Sequence, residues 1–325
     1  MKSENKVTVS PIKIVLVQYG VKADALLYKN LRYLQEKFPS IPRVVLTDEC
    51  RHINPKKLHG AEQFVKNNLN LTLLRDKVSH PLQFREGFWF NTIARFWLIS
   101  SYHDRFPNQP ILHIETDVLL MPTFPFELLN SSNFDCIFTD VSDHASSAAV
   151  LYTRNALTSK KLTEHFRSGI LNNSASTDMS LLAQYREVAR HRLGKFRNGS
   201  GLSPVNGETF REFPNVDPAT WGMFYSGRDP KNHRGLRILY EAVPDHQIRP
   251  ENLNLLIEEG RVHIENQGEL VSFHIHSKDK RYFSAKGLGL LQSRIINYGG
   301  RPKIEIDLSV LIKLILLKAR KYLRK

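Results

Sequence analysis

Residues 111–120 read ILHIETDVLL. An apolar strand pattern, Ile111 to Ile114, runs into Glu115 and Asp117 and returns at once to Val118, Leu119 and Leu120. Burying an unpaired carboxylate at a strand end is costly, so this pair demands a hydrogen-bonded turn, an ion pair or a cation. With the two-residue period of a strand, Glu115 and Asp117 project to one side. Hard oxygen ligands on one side suit a divalent cation carrying phosphates. A plain polar turn after a core strand is the other reading.

Working upstream, residues 12–18 (IKIVLVQ) read as a β-branched strand ending at Gln18-Tyr19-Gly20. Residues 23–38 carry Ala25, Leu26, Leu27, Leu31, Leu34 and Phe38 at helical spacing, and residues 43–48 (RVVLTD) form the next strand. A strand-helix-strand opening implies a parallel sheet whose ligand site lies beyond the carboxyl ends of its strands. Tyr19, Asp48, Glu115 and Asp117 would gather there. No Gly-x-Gly-x-x-Gly and no Gly-x4-Gly-Lys-Ser/Thr follows the first strand, which disfavours a dinucleotide fingerprint and a phosphate-loop NTPase. Residues 61–68 read as a short helix, 71–74 as a short strand and 84–106 as a long aromatic helix. Arg95 on that helix is either a snorkelling surface residue or a guanidinium reaching the sheet end to meet phosphate or an acid.

Downstream, 121–126 (MPTFPF) reads as an extended connection, 135–139 as a strand, and 146–154 (SSAAVLYTR) as small residues leading into another strand. Residues 174–189 form a helix with Asp178 in its first turn, where capping alone accounts for an acid. Residues 192–217, rich in Gly, Pro and Arg, read as a mobile loop. The aromatic stretch 217–235, with Asp217 and Trp221, suits an acceptor-binding wall as well as plain surface. In residues 270–276 (LVSFHIH) His274 and His276 share a strand face, followed by Lys278: structural histidines, or metal and phosphate contacts.

The 325 residues, 41% hydrophobic and 24% charged, fit one large domain or two closely packed ones. Lys plus Arg number 46 against 32 Asp plus Glu, a formal charge of +14, so the partner is polyanionic: nucleic acid, an anionic membrane or a phosphorylated substrate. The polar first ten residues and the short apolar run after them read as neither an export signal nor a spanning segment. Cys50 and Cys136 have no metal-type spacing, which fits a reducing compartment. The Asn-x-Ser/Thr matches at Asn70, Asn130, Asn172 and Asn198 are therefore not read as glycosylation sites. Residues 307–325 (DLSVLIKLILLKARKYLRK) make a basic amphipathic helix, the pattern of an in-plane anchor on anionic lipid; docking on the protein's own core is the alternative.

The order of these elements, with Arg95, Glu115-Thr116-Asp117, Ser147 to Leu151, Asp178 and the late FHIHSK, resembles a GT-A-type nucleotide-sugar glycosyltransferase over roughly residues 12–285. The resemblance implies an α/β fold with a Rossmann-like, mixed, mainly parallel sheet flanked by helices. The polar arm 1–11 would precede a catalytic domain over 12–300, divided into a nucleotide-sugar half (12–120) and an acceptor half (121–300), with 301–325 as the tail. Glu115 replaces the first Asp of the family's Asp-x-Asp motif, and Asp117 takes the metal-ligand role. His276, with His274 as competitor, resembles the family's C-terminal metal-binding His. Lys278 resembles the diphosphate-contacting Lys of the glycogenin and bacterial galactosyltransferase branch. Mn²⁺ or Mg²⁺ would be the cofactor. Tyr19, Asp48, Arg95, Glu115, Asp117 and Lys278 would bind a UDP- or GDP-linked sugar, with Asp178 catalytic and Asp217 and Trp221 on the acceptor side. The acceptor would be a glycan or a lipid-linked one in surface polysaccharide synthesis, met at the inner face of the cytoplasmic membrane through 307–325. A nucleotidyltransferase of similar topology is the second enzyme reading, although Gln18 to Lys22 make a poor nucleotide loop. A non-enzymatic basic protein binding membrane or nucleic acid is the third, and it leaves the acidic strand end unexplained; nucleic acid is not expected as a partner.

Overall fold

The computed structural model describes residues 10–19, 25–49, 53–66, 71–78, 87–172, 177–189, 193–198, 213–230, 236–240, 255–284, 286–298, 303–307, 311–312 and 315–316. In chain order the first half runs β1 (Lys13–Gln18), α1 (Ala25–Lys37), β2 (Arg43–Thr47), β3 (Glu62–Val65), the one-turn α2 (Thr72–Arg75), α3 (Phe88–Arg105), β4 (Ile111–Ile114) and β5 (Val118–Leu120). Then come the short α4 (Phe126–Ser131), β6 (Cys136–Ser142), β7 (Ala145–Thr153), α5 (Ala156–Leu171), α6 (Asp178–Val188), β8 (Leu193–Asn198) and β9 (Asn215–Val216). The last part holds α7 (Thr220–Ser226), β10 (Leu236–Leu239), β11 (Leu255–Glu258), β12 (Arg261–Ile264), β13 (Gly268–Glu269), β14 (Ser272–His274), α8 (Gly287–Ile296) and β15 (Lys303–Ile306).

Eight strands form the central sheet in the order β3-β2-β1-β4-β7-β6-β8-β9. Every pairing is parallel except those of β7, which runs against both β4 and β6. The fold is thus a mixed α/β one with a mainly parallel, Rossmann-like sheet, as the strand-helix-strand opening implies. Strand alternation sends Ile14 and Leu16 to one face, against Leu27, Leu31 and Leu34 of α1. It sends Val15, Val44 and Leu46 to the other, against α3, α5 and α6. Both faces are covered, as a parallel sheet requires.

Three local expectations are overturned. The helix read over 61–68 does not form in its described part, 61–66: Glu62–Val65 pairs in parallel with β2 at the sheet edge, and Phe64 packs edge-on to Tyr102. Residues 71–74 are not a strand, because Leu71 and Leu74 are buried at helical spacing and the Arg75 N–H bonds the Leu71 carbonyl at 2.8 Å. Within 192–217 the chain returns to the sheet as β8 and β9, with Leu193 and Phe196 buried; residues 199–212 of that stretch lie outside the described residues. Of the tail, Leu311, Ile312, Ile315 and Leu316 are helical, and the rest of 308–325 lies outside the described residues. Among the described residues no helix is long and apolar enough to cross a membrane.

Candidate active site

An open cleft of about 890 Å³ lies at the carboxyl ends of β1, β2 and β4. Tyr19, Asp48, Arg95, Glu115, Asp117, Asp178, His274, His276 and Lys278 all line it. The antiparallel β7 contributes its beginning to the same edge, so Ser147 and Ala148 line the cleft as well.

The acidic turn is built by pairing on both sides. Glu115 donates its N–H to the Ala149 carbonyl on β7 at 3.0 Å, and Val118 N–H closes the turn on the Glu115 carbonyl at 3.0 Å. Asn30 of α1 is buried and donates its side-chain amide to the carbonyls of Thr116 (3.0 Å) and Val118 (2.9 Å), while the Tyr33 hydroxyl donates to Leu120 (2.6 Å). Asn30 escaped the sequence reading. Its signal is a polar residue inside the Leu26-Leu27-Leu31-Leu34 stripe, where an unpartnered amide would be costly.

Strand β14 brings the histidines in. It pairs antiparallel with β5, Ser272 opposite Leu120 and His274 opposite Val118, and Ile275 N–H extends the ladder to the Asp117 carbonyl at 2.7 Å. This register sets His274 Nε2 at 3.3 Å from both Glu115 Oε2 and Asp117 Oδ1. One ligand atom from each of Glu115, Asp117 and His274 falls within 4.8 Å of the others, a spacing that could hold a metal ion. The His276 ring lies 5.6 Å from that of His274, and Lys278, in a left-handed turn at φ +53°, reaches to 3.6 Å from Asp117 Oδ2. The three-member group thus contains Glu115 where the sequence reading has His276. The Nδ1 atoms of His274 and His276 are buried with no hydrogen-bond partner.

Arg95 is buried at the cleft floor rather than snorkelling, and its two terminal nitrogens donate to Glu115 and Asp178. Asp178 opens α6 behind a capping box of Thr177 and Ser180. Burial pushes the Asp178 carboxyl up, and Glu115 adds to the effect, even with Arg95 opposing both. Glu115 also suffers from burial, yet Arg95 and His274 together hold it below its usual range. One guanidinium therefore serves two buried carboxylates and satisfies Glu115 more fully. Burial works against a charged His274, but Asp117 and Glu115 outweigh it and raise its pKa to about 9. His274, with Lys278 and His276, in turn holds Asp117 far below the ordinary carboxylate range despite its burial. His276 is lowered to about 4 by burial and by the charge on His274.

These directions describe a charge count. Three carboxylates, Glu115, Asp117 and Asp178, face two fixed cations, Arg95 and Lys278. Within this cluster the negative charge left over is cancelled by a proton on His274, or by a divalent ion that takes the proton's place and leaves the cluster with one net positive charge. The donor set of two carboxylates and an imidazole suits Mn²⁺ or Mg²⁺.

Asp217 and Trp221 do not join this group. Trp221 is fully buried in the core. Asp217 is spent on backbone: Oδ1 accepts from the N–H groups of Ala219 and Trp221, both at 3.0 Å, and Oδ2 from those of Gly222 (2.6 Å) and His274 (3.0 Å). It ties α7 to β14. Gly222 lies so close to β14 that a Cβ there would fall 1.7 Å from the His274 carbonyl oxygen. The residues of this region that do line the cleft are Pro218, Ala219, Met223 and the buried Asp229. The opposite wall is aromatic, with Phe88, Trp89 and Phe90 from the start of α3 and Arg75 beside them.

No protein-family model matches the chain, and no curated protein sequence matches it. Among solved structures it is similar to a cytidylyltransferase from Leptospira borgpetersenii serovar Hardjo-bovis, at 11% identity and a TM-score of 0.33, over 58% of this chain and 76% of that one. It is also similar to the apo structure of WbbM, a bifunctional glycosyltransferase, at 11% identity and a TM-score of 0.37, over 59% of this chain and 40% of that one. Likenesses of this degree carry no weight for what the chain does. Its own geometry defines a Rossmann-like α/β protein with an acidic, histidine-bearing cleft at its strand ends.

Proposed function

We propose that the chain is a metal-dependent glycosyltransferase of GT-A type, moving a sugar from a UDP- or GDP-linked donor to a glycan or lipid-linked acceptor at an anionic membrane face. The observation that carries this reading is the convergence of Glu115, Asp117, His274 and Lys278 at one end of a cleft walled by Tyr19, Phe88 and Trp89. Such a cleft offers cation ligands and an ammonium to a diphosphate, and aromatic faces to a base.

Mn²⁺ or Mg²⁺ held by Asp117, His274 and Glu115, with His276 alongside, would supply Lewis-acid stabilisation to a departing diphosphate. Lys278 adds a fixed positive charge to that end. Arg95 acts as a positioning residue, since its fork is committed to Glu115 and Asp178. Tyr19 and Asp48 meet the nucleoside, Asp48 accepting from base or ribose hydroxyls. Asp178 binds or deprotonates the acceptor hydroxyl, and burial makes its carboxylate more basic than an exposed one. A nucleotidyltransferase would instead take a nucleoside triphosphate and a sugar phosphate.

The test is a thermal-shift screen against UDP, GDP, CDP, CTP and the diphospho-sugars, each with and without Mn²⁺, with Asp117→Ala as control. A ligand that binds only the native state stabilises it by RT ln(1 + [L]/Kd). The reading expects a metal-dependent rise with one nucleoside diphosphate that vanishes in Asp117→Ala. A rise with CTP alone would favour nucleotidyl transfer. No shift with any nucleotide would return the acidic turn to a structural role.

A further inference from the structure

The small ribbon formed by β10 and β15 has its polarity reversed. The register places Leu236 opposite Ile306 and Ile238 opposite Ile304 on one face, and Arg237 opposite Glu305 on the other, where the buried Leu239 stands opposite Lys303 at the ribbon's end. The charged face is the inner one. Arg294, itself buried, donates from Nη2 to both carboxylate oxygens of Glu305, at 2.9 and 2.8 Å, and Arg237 pairs with Asp307. The apolar face is the outer one: Ile304 and Ile306 are 63% and 59% exposed, and Leu236 is exposed as well. A ribbon bathed only by water would carry the opposite pattern. Beyond it, Ile312, Ile315 and Leu316 are helical and exposed too.

The sequence that runs through and beyond β15 carries charge of mainly one sign. From Arg301 to the end of the chain there are eight Lys and Arg and two acids. The two acids are Glu305 and Asp307, and both are engaged by the arginines Arg294 and Arg237. Lys303 on the ribbon is exposed. An apolar surface carried by so basic a stretch of chain is complementary to anionic lipid, whereas two copies of it would repel each other.

We infer that the outer face of the β10–β15 ribbon, with Leu236, Ile304 and Ile306, docks on an anionic lipid bilayer. The contact is therefore made by a folded part of the domain and not by a tail alone. This rests on the membrane-facing part of the function proposed above and deepens it. The ribbon is also wired toward the cleft, because Arg237 stands 3.9 Å from Asp279, the residue after Lys278. Docking would then hold the cleft at a set attitude to the bilayer.

The test is co-sedimentation of the full chain with vesicles of phosphatidylcholine alone and of phosphatidylcholine with phosphatidylglycerol, comparing wild type, the double variant Ile304→Glu/Ile306→Glu and Leu236→Glu. These side chains face outward, so circular dichroism should report an unchanged fold. The expected result is binding to the anionic vesicles only, weakened by added salt, and at least about tenfold lower in the double variant, from the loss of two buried isoleucines. Leu236→Glu should also bind more weakly, which secures the result if the double variant folds poorly. Equal binding by wild type and both variants would overturn the inference. So would a concentration-dependent dimer that the same substitutions abolish, which would assign the face to a second copy. Nucleotide-induced thermal shifts on the same variants should be unchanged, so failure here is distinguishable from failure of the donor site.

Discussion

His274 holds its Nε2 3.3 Å from Asp117 Oδ1, across the seam where β14 pairs with β5. Residues 157 positions apart in the chain are brought together by two three-residue strands, and the proposed cation site depends on that pairing. Calorimetric titration of the wild type with MnCl₂ is expected to show one site. In Asp117→Ala and in His274→Ala the affinity should fall by at least about tenfold, since each removes one of three ligands. Undiminished affinity in both would remove the cation from this seam.

Arg95 is the next point of leverage. Arg95→Met strips the buried Asp178 of its cation and takes one partner from the half-buried Glu115, which keeps His274; the loss of one member of such a buried pair costs about 3–5 kcal/mol. Arg95→Lys keeps the charge but cannot fork to two carboxylates, so it should fall between Met and wild type. Urea unfolding followed by circular dichroism reads both, and an Arg95→Met protein as stable as wild type would show that the guanidinium bears no structural duty.

Asp217 gives a similar test away from the cleft. An Asn at this position offers one acceptor oxygen, and its amide group would face N–H donors. Asp217→Asn should destabilise the protein by about 2–3 kcal/mol through unmet backbone donors. Nucleotide binding to the folded fraction should survive, and its selective loss without a change in stability would place Asp217 in the acceptor site after all.

A pH dependence follows from His103, buried on α3. Its Nε2–H donates to the Gln109 carbonyl at 2.8 Å, and its Nδ1 accepts from the Ser159 hydroxyl at 2.6 Å, an arrangement of the neutral ring. Burial lowers its pKa to about 4, from 6.5. Below pH 6.5 the unfolded chain takes up a proton that the native ring refuses until about pH 4. Stability is therefore complete above pH 6.5 and declines as the pH drops toward 4, by about 3 kcal/mol for this group. His103→Gln should be less stable at neutral pH but should show a shallower decline in that window; parallel declines would contradict the assignment.

The parts of the fold that were legible in the sequence are those with strong periodicity. The strand-helix-strand opening, the aromatic helix α3 and the strand before Glu115 stand nearly where their patterns place them. Four-residue elements failed, because EQFV and LTLL each fit either period and only pairing with β2, or burial of Leu71 and Leu74, decides between them. Helix α5 went unread although Leu162, Phe166 and Ile170 mark its stripe, and β8 was hidden by the surrounding Gly and Arg. At the site, the residue types were readable and their partnerships were not. His274 stands nearer the acids than His276 through a strand register no local pattern encodes, and Asp217 is diverted to four amides by the close approach of α7.

That close approach has a mechanical meaning. With the Gly222 backbone against the His274 carbonyl, no atom fits between α7 and β14, so the two cannot slide past each other. Met223 on α7 and His274 on β14, which both line the cleft, are thereby held in one piece. Any widening of the cleft there has to come from the wall of Phe88, Trp89 and Phe90 at the start of α3.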